Sequence, residues 1–421
     1  MLCRAGAVDH DGKKAMLGCV ESEKWKMRLT APILLLATGA GRPGLGRPCL
    51  LGCGEDARSS LVTAGVVSKI IVDRVQGGAP RLGGGGVQAA TGLRCAGGLD
   101  RAELVAPVGR DFDVGMLAGL AARGVDVDGV VSLDDVASTP GELIRYDADE
   151  TMTYEAVGWE HWPALCAWEP PLPRVAAYSV LHVLVEGSSG GGEVPAVARA
   201  LAATAVDRPL LSVEPILQPG WDPSPEALEG LLTLTAMSDL VSPDWATAAV
   251  LAARDDDDDG GGSGGVGEPG RREREEKGDV DKTTGVRDVA QQERGREQVW
   301  RVMKGCARAL SLPSQCVLAV RDGADGSYLL ANGELTWVPA VEVEVLDPTG
   351  AGNAYAGALA ARIAVGDSVA EAGCVASAVG AAYCASADWA PADLDATCAW
   401  VRARACELRP RAMPPVLRAP V

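Results

Sequence analysis

Phenylalanine is almost missing from this sequence: one Phe and six Tyr stand among 421 residues, against ten Trp. A core built mainly of rings is therefore excluded, and the 47% apolar fraction has to work through Ala, Val and Leu. Histidine is nearly as rare. His10, His161 and His182 form neither an H-x-x-x-H nor an H-E-x-x-H pair, which argues against a His-based metal centre. The twelve Cys include no C-x-x-C, and Cys49 and Cys53 are four apart. They are expected as free, mostly buried thiols of a reducing compartment. Positive charge is also short. A net charge of −18 opposes nucleic acids and anionic membranes, both of which are bound by neutralising phosphates with Lys and Arg.

No apolar run reaches the ~18 residues that a membrane span requires. The apolar stretch 31–37 follows a mixed-charge segment containing Asp9, Asp11, Glu21 and Glu23, which fits neither a secretory signal nor a transit peptide. Residues 1–58 are expected as a poorly ordered extension, and the chain as cytoplasmic. No G-x-x-x-x-G-K-[ST] occurs, so a P-loop is excluded. Gly187-Ser-Ser-Gly-Gly191 fits G-x-S-x-G, but no His follows His182, so the order Ser, Asp, His of a Ser189 hydrolase cannot be met. His182, inside an apolar strand, reads as a buried and satisfied core residue.

What is present alternates between short apolar runs and helical spacing. Residues 61–72, 104–108, 125–131, 178–185, 209–213, 316–320 and 326–330 read as strands. Val114, Leu117, Leu120 and Ala121 repeat at helical spacing with Gly124 as the cap. Further helices are expected over 224–234, 353–365 and 368–386. Such alternation implies a mainly parallel sheet covered on both faces. Residues 142–147 and 151–156 flank a short turn, alternate polar and apolar, and are expected as a solvated hairpin that serves as a lid.

Residues 254–298 break the pattern with Asp255 to Asp259, a Gly/Ser tract, and fourteen acidic and nine basic residues in all. Too few apolar groups occur there to offset the entropy of ordering, so a disordered insertion is expected. The domain is thus expected over 59–253 and 299–392, with 393–421 as a tail.

The most informative segment is Asp347-Pro-Thr-Gly-Ala-Gly-Asn-Ala-Tyr-Ala-Gly-Ala358. Val341, Val343 and Val345 alternate before it, as in a strand. Tyr355, Leu359 and Ile363 follow at helical spacing. Gly350, Ala351 and Gly352 then lie at a strand-to-helix turn, where small residues let an anion approach unpaired N–H groups and the positive end of the helix dipole.

This segment resembles the C-terminal signature of the ribokinase or PfkB carbohydrate kinases, whose usual form is Asp-Thr-x-Gly-Ala-Gly-Asp. Other motifs follow in the family's order. Gly83-Gly-Gly-Gly-Val-Gln-Ala-Ala90 is similar to its sugar-side Gly-Gly motif, with Gln88 where many members have Asn. Val108-Gly-Arg-Asp111 is similar to its Val-Gly-x-Asp, and Arg321-Asp-Gly-Ala-Asp-Gly-Ser-Tyr328 to its nucleotide-side turn. Asp347-Pro348-Thr349 and Trp337-Val-Pro-Ala340 resemble a divergent branch in fungi and algae.

The resemblance implies a ribokinase-like α/β fold, ATP with magnesium, and transfer of the γ-phosphoryl group to a sugar or polyol. Gly350, Ala351 and Gly352 would form the anion hole; Asp347, Gly83, Gly84, Gln88 and Asp73 would hold the acceptor; Gly323, Gly326 and Thr349 would face the nucleotide. It also implies homodimers formed through the lid. Two positions depart from the family. Asn353 stands where the catalytic base is an Asp, and a carboxamide takes no proton at neutral pH. In Val241-Ser-Pro-Asp-Trp-Ala-Thr247, Asp244 and Thr247 replace an Asn-x-x-Glu that organises magnesium. Asp244 can offer an oxygen to a metal or cap the following helix; Thr247 brings no charge. A catalytically degenerate protein of the same fold that binds a nucleotide, a sugar or a partner is the alternative.

Overall fold

The computed structural model describes residues 61–75, 78–146, 152–186, 193–203, 208–217, 225–258, 289–386, 393–409, 411 and 417–418. The expected extension 1–58 and Ser189 lie outside them.

The first apolar run divides. β1 (Thr63–Val67) stops, and after the three-residue step 68–70 β2 (Ile71–Val75) starts in a different sheet. The single strand expected over 61–72 is therefore two. A run of apolar residues does not reveal a change of sheet. β3 (Pro80–Gly83) pairs antiparallel with β2, and helix α1 (Gly85–Ala96) follows at once.

β4 (Arg101–Val108) and β5 (Val125–Ser132) continue beside β1, joined by a 3₁₀ turn, Val114–Leu117, and the short α2 (Ala118–Ala122). The expected hairpin forms as β6 (Gly141–Tyr146) and β7 (Met152–Val157), antiparallel, with β6 parallel to β2. These four strands, in the order β3-β2-β6-β7, make the small lid sheet.

After α3 (Trp162–Ala167) and α4 (Leu172–Ala176) the chain returns to the main sheet through β8 (Val180–Glu186), α5 (Glu193–Ala203), β9 (Leu210–Ile216), α6 (Pro225–Thr235), β10 (Leu240–Val241) and α7 (Trp245–Asp258). α8 (Val289–Ala309) leads into β11 (Val317–Arg321), β12 (Ser327–Ala331) and β13 (Glu334–Val338). Of the expected insertion 254–298, residues 254–258 belong to α7 and 289–298 to α8, and 259–288 lie outside the described residues.

The large sheet runs β14-β13-β12-β11-β10-β9-β8-β1-β4-β5, where β14 is Leu417–Arg418. From β5 to β11 every pairing is parallel; β11 to β14 pair antiparallel. Alternate side chains of each strand enter two cores. Val66, Leu104 and Val180 join one, with α1, α9 (Ala351–Ala364), α10 (Val369–Cys384) and α11 (Leu394–Leu408). Val67, Val105 and Leu181 join the other, with α5 to α8.

The stretch 393–421, expected as a tail, carries α11 and the edge strand β14. Val401, Ala405 and Leu408 of α11 are buried, and a buried Val or Leu contributes about 1.5–3 kcal/mol, enough to dock a helix. Val341, Val343 and Val345 form no ladder. Val345 and Leu346 are exposed, so the segment before the Gly-Ala-Gly turn is a loop and not a strand.

Eight described cysteines are all free, and Cys95, Cys166, Cys306, Cys316 and Cys374 are buried. Among the described residues no helix is long and apolar enough to cross a membrane.

Candidate active site

Two helix starts meet on one side of the sheet. Gly84 caps α1 at φ 90 and Gly350 caps α9 at φ 78, conformations that a side chain would strain. The helices touch through small residues, because a Cβ on Gly92 would strike the Ala354 backbone and one on Gly357 the Ala89 carbonyl. This close approach places Gly85 against Asn353, with only 2.5 Å between a Cβ at Gly85 and Asn353 Nδ2. Gln88 packs against Gly350, where any Cβ would overlap its side chain. The Gly83–Ala90 motif and the Gly-Ala-Gly turn are thus in direct contact.

No side chain caps α9. The N–H of Ala351 reaches Pro348 O at 3.2 Å, while those of Gly352 and Asn353, in the first helical turn, receive no cap. Asp347 Oδ1 accepts from Thr349 N at 2.8 Å, which fixes the loop entering the turn. Gln88 is 3% exposed, and its Oε1 is buried with no hydrogen-bond partner among the described residues. Such an orphan is costly unless a ligand or water satisfies it.

Asp73 belongs to the lid sheet and lies against Gly83, whose Cβ would overlap its carboxylate. Its Oδ1 accepts from Glu142 N at 3.2 Å. Burial pushes the Asp73 carboxyl up to about 6; the backbone bond from Glu142 works against that rise and the nearby Glu142 charge adds to it.

Asn353 does not stand alone. Its Nδ2 donates to Glu214 Oε1 at 3.0 Å. Arg321 Nη1 lies 2.7 Å from the same oxygen, and His182 Nε2 lies 3.3 Å from Glu214 Oε2. His182 Nδ1 in turn meets Ser212 Oγ at 2.9 Å. Glu214 and His182 are fully buried. Burial alone would raise the Glu214 carboxyl, but the Arg321 guanidinium, His182 and Asn353 outweigh it and hold it below the usual carboxylate range. The expectation for His182 holds for its burial; its ring also belongs to this network.

Residues 301–391 match the model of the pfkB family carbohydrate kinases. This span holds both the Arg321–Tyr328 turn and the Gly-Ala-Gly turn. Solved structures extend the likeness to most of the chain. The ribokinase from Cryptococcus neoformans var. grubii in complex with ADP superposes with a TM-score of 0.55 at 16% identity, over 80% of this chain and 98% of its own. The fold is ribokinase-like. A candidate ribokinase II from E. coli in complex with ATP and Mg2+ gives 0.57 at 17% identity, over 82% and 100%. The nucleoside kinase of Methanocaldococcus jannaschii, an archaeal member of the ribokinase family, gives 0.53 at 15%, over 82% and 99%. No curated protein matches the sequence at a significant level.

In this ribokinase-like frame the remaining motif residues take definite places. Gly323 (φ 55) and Gly326 (φ 96) bracket the turn between β11 and β12. That turn is tied to α9 by Arg321 beside Gly352 and by Tyr355 OH donating to Ser327 Oγ at 2.8 Å. Asp111 of Val-Gly-x-Asp accepts from Ser138 Oγ and Thr139 N, each at 2.7 Å, and so anchors the segment leading into the lid. A cavity of about 150 Å³ lined by Val72, Arg74, Asp111 and Met116 lies on the other face of β2 from Asp73 and touches none of Gly350 to Asn353.

Asp244 caps α7: its Oδ1 accepts from Thr247 N at 2.7 Å. Thr247 is buried, with Oγ1 accepting from Leu217 N at 3.3 Å. Among the described residues no three His, Cys, Asp or Glu side chains come together to hold a metal ion. Asp244 and Thr247, each engaged by a backbone N–H of the chain, do not fit a resident magnesium.

Sequence reasoning missed Glu214 and Ser212, and took Arg321 only as the first residue of the Arg321–Tyr328 motif. The available signal was a charged residue inside a buried strand, Glu214 within Leu210–Ile216.

Proposed function

We propose that this chain is an ATP-dependent carbohydrate kinase that transfers the γ-phosphoryl group to a hydroxyl of a sugar or polyol, slowly. The observation that carries this reading is the contact between Gly85 and Asn353, which joins an acceptor-side turn to a phosphate-side turn. Asp73, Asp347 and the Gly83-Gly84 turn orient the acceptor. The uncapped N–H groups of Gly352 and Asn353 hold the transferred group at the start of α9. Gly323, Gly326 and Thr349 face the nucleotide, which enters as its magnesium complex. The proton of the attacking hydroxyl leaves to solvent or to a phosphoryl oxygen, because Asn353 cannot take it. General-base help is typically worth about 10²–10⁴ in rate. Phosphoryl transfer draws most of its acceleration from positioning and electrostatics, so a slow reaction survives that loss.

A second reading is favoured by the bond from Asn353 to Glu214, which commits the base position to a structural role. The chain would then bind nucleotide and sugar, or a partner, without turnover. ADP release measured over a broad panel of sugars and polyols with Mg-ATP separates the two. Turnover by the wild type that is lost in Gly352→Val establishes the kinase. Stabilisation by ATP and by a sugar, with no ADP formed from either, establishes the binding protein.

A further inference from the structure

We propose that Arg321 is a phosphate ligand of this chain: held at the Gly-Ala-Gly turn by Glu214, its guanidinium contacts the terminal phosphate of a bound nucleotide. This rests on the nucleotide half of the reading above.

Position comes first. A Cβ on Gly352 would stand 2.6 Å from Arg321 Nη1, so the guanidinium lies against the turn that presents uncapped N–H groups. Anchoring comes second. Nη1 is 2.7 Å from Glu214 Oε1, and Nε donates to Pro243 O at 3.3 Å. These two contacts fix the plane of the fork before any ligand arrives. Glu214 is itself held by His182 and Asn353, and acts as a positioning residue.

Donor accounting comes third. A guanidinium carries five N–H groups. Nε donates to Pro243 O, and Nη1 pairs with Glu214 at 2.7 Å. Those two contacts do not involve the N–H groups of Nη2, and the side chain is only 11% exposed, so a phosphate oxygen reaching them would meet a poorly hydrated cation.

Gln88 lies buried against Gly350 with Oε1 unpartnered among the described residues; that oxygen is an acceptor, so it fits a hydroxyl beside the phosphate and not the phosphate itself. In a chain of net charge −18 a polyanion needs a local cation, and Arg321 provides it where the amides converge.

Two variants test the proposal. Arg321→Lys keeps the charge and its pairing with Glu214 but removes the fork. The double variant Arg321→Met with Glu214→Gln removes both charges, so no buried charge is orphaned. Binding of ATP, ADP, inorganic phosphate and adenosine is measured by calorimetry on proteins whose unliganded melting confirms folding. We expect Kd for ATP and ADP to rise tenfold or more in both variants, with adenosine unchanged. Tight ATP binding by the wild type that neither variant weakens overturns the role of Arg321 and leaves the kinase reading standing. Binding of inorganic phosphate that depends on Arg321, without binding of ATP or ADP, overturns the nucleotide contact together with the kinase reading. If none of the phosphate compounds binds the wild type, both fail.

Discussion

Asn353 and Glu214 share one hydrogen bond, 3.0 Å long, in which the carboxamide donates to a carboxylate already engaged by Arg321 and His182. Position 353 is thereby committed to a donor. Replacing Asn353 by Asp would set a second carboxylate where that donor stands, and like charges at such separation resist joint ionisation. Asn353→Asp is therefore expected to be less stable at neutral pH, by about 1.5–3 kcal/mol, the worth of a hydrogen bond to a charged group. It is not expected to raise turnover. Chemical denaturation of both proteins beside an ADP-release assay checks this, and a faster, equally stable Asp variant would contradict it.

Thr247 carries a similar warning. Restoring the carboxylate expected at this position, Thr247→Glu, places an unpaired charge at a site that is 1% exposed and strips Leu217 N of its acceptor. A loss of several kcal/mol is expected. A Thr247→Glu protein that melts with the wild type and gains magnesium-dependent activity would show that α7 can move to admit the ion.

Asp73 makes stability depend on pH. Burial raises its folded pKa from 3.8 to about 6, so between these values the native state holds more protons than the unfolded chain. Its contribution therefore favours the native state at low pH and declines as pH rises from about 4 through 6. Asp73→Asn is expected to flatten that part of the stability profile. In the kinase, the KM for the acceptor should fall as Asp73 ionises, with an apparent pKa near 6 that the Asn variant lacks. Parallel profiles for wild type and variant between pH 4 and pH 7 would rule this out.

Glycines divide by what surrounds them. Gly357 leaves no room for a Cβ against the Ala89 backbone, so Gly357→Ala should separate α1 from α9 and cost more than 1 kcal/mol, as overpacking typically costs about 1–3. Gly295 lies exposed within α8 with nothing within 4 Å of a Cβ, so Gly295→Ala should stabilise by about 0.5–1 kcal/mol. Thermal melts of the two variants moving in the same direction would refute the contrast.

Much of this molecule was legible in its residues, and what was hidden has a common cause. The Gly83–Gln88 and Asp347–Asn353 segments announced themselves because tight turns and helix starts are local events with local residue requirements. The hairpin of β6 and β7 was readable from alternation alone. Alternation misled at Val341, Val343 and Val345, because a strand exists only if another strand is there to pair with it. The step from β1 to β2 was invisible for the same reason, since both strands are apolar and only their neighbours differ. α11 read as a tail because only three of its residues, Val401, Ala405 and Leu408, are buried, and they pack against both the preceding α10 and the distant α1. Glu214, Arg321 and Asn353 are separated by more than a hundred residues at the widest, and no spacing rule joins a carboxylate in β9 to a carboxamide in α9.

The backbone contact of α1 with α9 also sets a timescale. Because Gly92 and Gly357 bring main chain against main chain, the two turns cannot part by side-chain rearrangement; separation requires the alanine-rich core on that face to open. Amide protons of Ala89 and Gly357 should therefore exchange with deuterium only in the slowest class, at the rate of global unfolding, whereas those of the lid strands exchange through local opening. The two helix starts are thus expected to be the part of the site that opens last.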